Sequence, residues 1–227
     1  MHQPENTLLP VVILISGRGS NMQAIIEAVQ QHTLALDIRA VISNRPAAAG
    51  LTAASRAGIA TAVIDHNDYA DREAFDRALQ VCIDRYQPRL VILAGFMRIL
   101  TTAFVEHYRG HMLNIHPSLL PALPGLHTHQ RALDAAAREH GASIHFVTAD
   151  MDGGPVILQA RLTVRPDDDA DRLAERVLQL EHRLYPEALR WFAAGRLALD
   201  ENGDIRLDGV HLASPVQLAA GNSTDKP

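Results

Sequence analysis

Three short stretches of this chain carry residue types suited to group-transfer chemistry. In Asn114-Ile115-His116-Pro117-Ser118 the asparagine and histidine stand two residues apart, so along a strand both side chains point to one face. An amide donor beside a titratable imidazole suits acyl transfer: one holds a developing oxyanion while the other moves a proton. In Asp150-Met151-Asp152-Gly153-Gly154, a carboxylate set beside a histidine would favour the imidazolium form. In Ser16-Gly17-Arg18-Gly19-Ser20-Asn21, small residues at a strand-to-helix junction would expose backbone N–H groups to an anion at the positive end of a helix.

Each stretch also has a plain structural reading. Taken alone, Asn114 and His116 are better explained as satisfying backbone groups at a strand end. Asp-Gly between two strands is a common tight-turn sequence, and spacing brings neither Asp150 nor Asp152 to His116. The glycine loop could be a turn capped by Ser20 or Asn21. It is not a dinucleotide fingerprint, because Met22 stands where the third glycine belongs. The second strand also ends Val41-Ile42-Ser43-Asn44-Arg45, without the acid that would hold a ribose. No Gly-Lys-Ser/Thr follows, which excludes a nucleotide P-loop. The chain holds 12 histidines, yet His116, His127 and His129 fall in no His-Glu-x-x-His or Cys/His pattern. No metal is expected.

The elements that must position these residues alternate. Apolar runs at 11–15, 37–43, 61–65 and 89–94 read as buried parallel strands. Between them, helices are expected over 21–31, 47–57 (closed by Gly58) and 71–86, the last with Phe75, Leu79, Cys82 and Ile83 facing inward. Such βαβ alternation argues for a mostly parallel sheet. The break at Gly95 after a buried strand would let backbone groups in 95–100 line an apolar pocket for a flat ring. A short strand at 112–115 then runs into a loop whose prolines at 117, 121 and 124 forbid a regular helix. A helix over 128–139, stopped by Gly141, precedes strands at 142–148 and 156–164. A final helix over 169–194 shows Leu173, Val177, Leu180 and Leu184 as its apolar stripe. Short strand-like pieces and a polar tail, AAGNSTDKP, close the chain.

Composition narrows the function classes. The 227 residues are read as one domain, 1–227, with a core at about 10–195 and a short extension over 196–227. A net charge of −5 with no dense Lys/Arg block argues against nucleic acid as partner. The single cysteine, Cys82, fits a reducing compartment and a buried structural thiol. No signal peptide begins the sequence, and no stretch approaches the roughly 18 apolar residues of a membrane span. The expectation is a cytoplasmic protein, a monomer or homodimer, acting on small-molecule substrates without nucleic acid or membrane.

Four segments in order, ISGRGSN, LAGFMRIL, LNIHPSLLPALPGLHTH and DMDGGPVILQA, closely resemble the folate-dependent phosphoribosylglycinamide formyltransferases, over about residues 10–195. The resemblance implies a Rossmann-like α/β formyltransferase fold: a mostly parallel twisted sheet flanked by helices, with an antiparallel C-terminal portion. It implies that Asn114, His116 and Asp152 form a catalytic trio. Gly19, Ser20 and Asn21 would hold the phosphate of glycinamide ribonucleotide, with Glu181 at its glycinamide end. Met97, Arg98, Ile99 and Leu100 would line the pterin pocket of 10-formyltetrahydrofolate, together with Asn114, and Arg72 would contribute at the folate's other end. Arg18 falls at a variable loop position and is assigned no required role. Within the same superfamily, a deformylase would carry an added N-terminal domain, yet only about ten residues precede the first strand. A methionyl-tRNA formyltransferase would carry a further RNA-binding domain and more basic charge. A non-catalytic phosphate-ligand binder would explain the glycine loop but not the trio.

Overall fold

The computed structural model describes residues 8–219. Eight strands form one mixed sheet. The first five are β1 (Leu9–Ile15), β2 (Leu36–Ser43), β3 (Thr61–Val63), β4 (Leu90–Leu93) and β5 (Met112–His116), paired parallel in the order β5-β4-β1-β2-β3. β6 (Glu139–Phe146) and β7 (Val156–Thr163) extend the β5 side antiparallel. The order reverses between β1 and β4, the switch point at which open α/β sheets leave a crevice beyond their carboxyl ends.

Helices cover both faces. α1 (Ser20–Gln30), α2 (Ala49–Arg56), α5 (Thr128–Asp134) and α6 (Ala170–Ala193) contribute to one core. α3 (Arg72–Asp84) and α4 (Thr102–His107) contribute to the other. α6 is the main packing element on its face: Asp169 caps it by accepting from Arg172 N–H, and Leu173, Val177, Leu184 and Leu189 are fully buried. Burying each such side chain contributes roughly 1.5–3 kcal/mol. Tyr185 on this helix sets its hydroxyl 2.9 Å from the carbonyls of both Leu93 and Leu113, donating to one at a time and tying α6 to β4 and β5. Among the described residues no helix is long and apolar enough to cross a membrane.

The expected helix over 128–139 ends instead at Asp134, and β6 begins at Glu139, so Gly141 lies inside a strand rather than stopping a helix. Pairing decides this. Glu139 faces Thr163 and His140 faces Leu162 in the ladder, and a Cβ at Gly141 would stand 2.0 Å from the Ala160 carbonyl oxygen. That close approach is what the glycine permits. α4 falls where no helix is expected; Thr101 caps it by accepting from Phe104 N–H, and Phe104 and Val105 are its buried residues. The expected third strand is shorter, because a turn of 3-10 helix, His66–Asp68, takes over after Val63. Phe75, Leu79 and Ile83 are buried on α3 as expected, whereas Cys82 is only partly buried, its thiol pushed up by burial. Beyond α6, β8 (Leu197–Leu199), β9 (Ile205–Leu207) and β10 (Val210–His211) form a small antiparallel sheet. β11 (Val216–Gln217) returns to pair with β7. Of the polar tail, 220–227 lies outside the described residues.

Candidate active site

The switch-point crevice is flanked by the loops after β1 and β4. After β1, Gly19 takes a left-handed conformation (φ 70°) and hands the chain to α1 with no side-chain cap. Neither Ser20 nor Asn21 caps this turn through its side chain, so the first N–H groups of α1 carry no side-chain cap. Asn21 is buried and turns its amide away from the helix end, donating to Glu181 Oε2 at 2.6 Å across 160 residues of sequence. Burial pushes Glu181 up to about 7, partly offset by that hydrogen bond. Asn21 Oδ1 has no partner among the described residues.

After β4 the chain runs irregularly through 94–101. Met97 and Ile99 are exposed (58% and 52%), whereas Phe96 and Leu100 are buried anchors. The Arg98 guanidinium lies 5.6 Å over the Phe75 ring, a cation–π contact that carries the loop against α3. Arg72, at the start of α3, is exposed.

β5 carries Asn114 and His116 on one face, as expected. His116 is buried, with Nδ1 3.3 Å from Asp152 Oδ2 and Nε2 3.0 Å from the Leu123 carbonyl. Both ring nitrogens face oxygen acceptors, an arrangement that a doubly protonated ring satisfies by donating twice. Of the two candidate aspartates, Asp152 meets the histidine. It stands in a left-handed conformation (φ 53°), and its Oδ2 also accepts from Gly125 N–H at 2.8 Å. The turn that delivers it depends on Gly154, where a Cβ would stand 1.8 Å from the Phe146 carbonyl oxygen.

Sequence reasoning missed His145. It faces Asn114 across the β5–β6 ladder, and its Nε2 lies 3.1 Å from Asn114 Nδ2. His145 Nδ1 lies 2.9 Å from the Phe146 carbonyl and donates to it, so Nε2 is left as an acceptor for one amide N–H. Burial pulls the His145 pKa down, which keeps that acceptor neutral. The signal was present: Ser143 and His145 alternate as polar residues within the otherwise apolar run 141–146.

Neither His127 nor His129 hydrogen-bonds to His116. His127 precedes α5 in a left-handed conformation, and His129 Nδ1 lies 3.1 Å from His140 Nε2. Among the described residues no group of three or more His, Cys, Asp or Glu side chains is disposed to hold a metal ion. A cavity of about 440 Å³ on the α1–α6 seam, lined by Glu27, His182 and Arg190, shares no residue with the trio.

Fold and site together define an α/β enzyme of the acyl-transfer class, with an anion-ready loop, an amide donor and a carboxylate-backed imidazole at one doubly wound sheet. The chain belongs to the formyl transferase family, whose model matches residues 9–189. It is 53% identical over 202 residues to phosphoribosylglycinamide formyltransferase of Escherichia coli (strain K12), covering 89% of this chain and 95% of that protein. It is 45% identical over 195 residues to the Homo sapiens trifunctional purine biosynthetic protein adenosine-3, covering 86% of this chain and 19% of that one. A solved phosphoribosylglycinamide formyltransferase from Coxiella burnetii matches with a TM-score of 0.88 at 54% identity, over 92% of this chain and 99% of the other. A formyltetrahydrofolate deformylase from Pseudomonas putida KT2440, 24% identical with a TM-score of 0.81, shares the fold over 90% of this chain and 72% of its own.

Proposed function

We infer that this chain transfers the formyl group of 10-formyltetrahydrofolate to the glycinamide amine of N1-(5-phospho-D-ribosyl)glycinamide, a step of purine biosynthesis. The observation that carries the chemistry is the Asp152–His116 contact at 3.3 Å, with Asn114 on the same face of β5. The substrate assignment draws support from the phosphoribosylglycinamide formyltransferases that align along most of the chain.

The glycine loop suits a monophosphate: Gly19, Ser20 and Asn21 offer backbone N–H groups at a helix start, without the close approach that a pyrophosphate needs. Glu181, joined to Asn21, reads the glycinamide end of the same substrate. The donor's pterin fits the loop after β4, where the exposed Met97 and Ile99 and the backbone of Arg98 and Leu100 present an apolar, hydrogen-bonding edge. Arg72 meets the folate's anionic far end.

The substrate amine attacks the formyl carbon, and negative charge grows on the formyl oxygen. Asn114 has two amide N–H bonds; His145 engages one and the other is free to donate to that oxygen. With Asp152 at Nδ1, a doubly protonated His116 can turn Nε2–H from the Leu123 carbonyl to the oxyanion, pass that proton to the departing folate nitrogen as its C–N bond breaks, and then take up the proton that the attacking amine sheds. Folate release followed by absorbance, with and without glycinamide ribonucleotide, tests the reading. Release that needs the ribonucleotide supports transfer, and equal release without it assigns a hydrolase instead.

A further inference from the structure

The segment after β4 has no ladder or helix to hold it, yet its two ends are fastened by buried side-chain oxygens from distant parts of the chain. At one end, Met97 N–H donates to Ser16 Oγ at 2.7 Å, and the Ser16 hydroxyl donates in turn to Asn44 Oδ1 at 2.5 Å. Ser16 N–H also donates to the Gly95 carbonyl at 3.1 Å. Ser16 and Asn44 are almost fully buried (4% and 1% exposed), and His66 backs Asn44 by donating Nδ1–H to its carbonyl at 2.9 Å. At the other end, Thr101 N–H donates to Asp76 Oδ2 at 2.6 Å, and Asp76 is 3% exposed.

We propose that Ser16 and Asp76 are positioning residues for the formyl-donor pocket, clamping the 97–100 segment at its two ends. The inference rests on the reading of that segment as the donor site. Along 96–100 the side chains alternate, with Phe96 and Leu100 inward and Met97 and Ile99 outward. Fixing both ends therefore sets which backbone and apolar groups face the crevice. Among the described residues each clamp oxygen accepts from its N–H across a part-buried contact, so removing it leaves that donor without its partner and the segment free to shift. Ser16 is also the last residue before the glycine loop, so one hydroxyl fixes the donor segment to the root of the phosphate anchor. Asp76 lies one helical turn beyond Arg72, so the second clamp ties the pterin segment to the helix that meets the folate's far end.

The test is steady-state kinetics of Ser16→Ala and Asp76→Ala with both substrates varied, alongside thermal denaturation. Loss of one such hydrogen bond should raise KM for 10-formyltetrahydrofolate about tenfold, with kcat changing less than about threefold. In Asp76→Ala the ribonucleotide KM should stay at the wild-type value. Asp76→Asn and Ser16→Thr keep an acceptor oxygen and should return the donor KM towards wild type, which a merely structural role would not require. If Asp76→Ala does not fold, Ser16→Ala and Asp76→Asn still decide the matter. An unchanged donor KM in Ser16→Ala, in a wild-type background that turns over formyl folate, overturns the clamp alone. Both KM values rising together with a fall in melting temperature also overturn it, as general loosening. A wild-type protein that neither binds nor turns over formyl folate overturns the functional reading and the clamp with it.

Discussion

In the proposed reaction Asn114 and His116 divide the work by chemistry. Asn114 can only donate or accept a hydrogen bond, whereas His116 can also move a proton, with Asp152 lying 3.3 Å from its Nδ1. An oxyanion donor is typically worth about 10²–10³ in rate, so Asn114→Ala and His116→Ala should each lower kcat by at least that order with the fold intact by circular dichroism. Near-normal turnover in both variants would sink the assignment. Glu181 makes a separate prediction about stability. Its carboxyl is raised from the ordinary 4.5 to about 7 by burial, so the folded protein holds a proton that the unfolded chain has already lost. Its contribution is therefore intact below pH 4.5 and is lost as pH rises to about 7, on the order of 3 kcal/mol in all. Glu181→Gln removes the ionisation but keeps an acceptor for Asn21. Its stability advantage over wild type should open between pH 4.5 and about 7, while ribonucleotide affinity falls. A gap that does not change with pH would contradict the buried, proton-holding carboxyl.

Elements decide which side chains meet, and here the sequence was only partly legible. The βαβ portion could be read almost residue by residue, because buried parallel strands are continuous apolar runs and their helices show clean stripes. The 128–139 stretch could not: alanine-rich AAAREH favours a helix locally, and only pairing with β7 makes its end a strand. α4 was hidden by its six-residue length, too short for periodicity to register. Asn114 and His116 were legible as a pair because a strand's two-residue period fixes their common face. Asp152 was chosen over Asp150 by a left-handed turn, and His145 was joined to Asn114 by antiparallel register, neither of which spacing reveals. The turn is itself testable. Gly154→Ala would drive a Cβ into the Phe146 carbonyl, so it should cost about 1–3 kcal/mol in denaturant unfolding. It should also lower turnover by moving Asp152 off His116. Wild-type stability and turnover together would show that the turn has room the geometry denies.

At the scale of the whole molecule, one reversal of strand order brings the parts together. The glycine loop follows β1, the 97–100 segment follows β4, and Asn114 and His116 sit on β5, so three neighbouring strands bring together the proposed phosphate anchor, donor pocket and catalytic groups. α6 crosses behind them, placing Glu181 against the glycine loop and Tyr185 against the ends of β4 and β5. The sheet's outer edges are short, three residues in β3 and two in β11, which leaves little open ladder for wrong pairing. The central claim is that this arrangement moves a formyl group from folate to a ribonucleotide amine through Asn114, His116 and Asp152. It is tested most directly by giving the protein a donor carrying an isotopically labelled formyl group, with glycinamide ribonucleotide, and weighing the ribonucleotide by mass spectrometry. The account predicts one labelled formyl group on the amine, formed by the wild type and nearly absent with His116→Ala or Asn114→Ala. Label recovered as free formate, or incorporation undiminished in both variants, would contradict it.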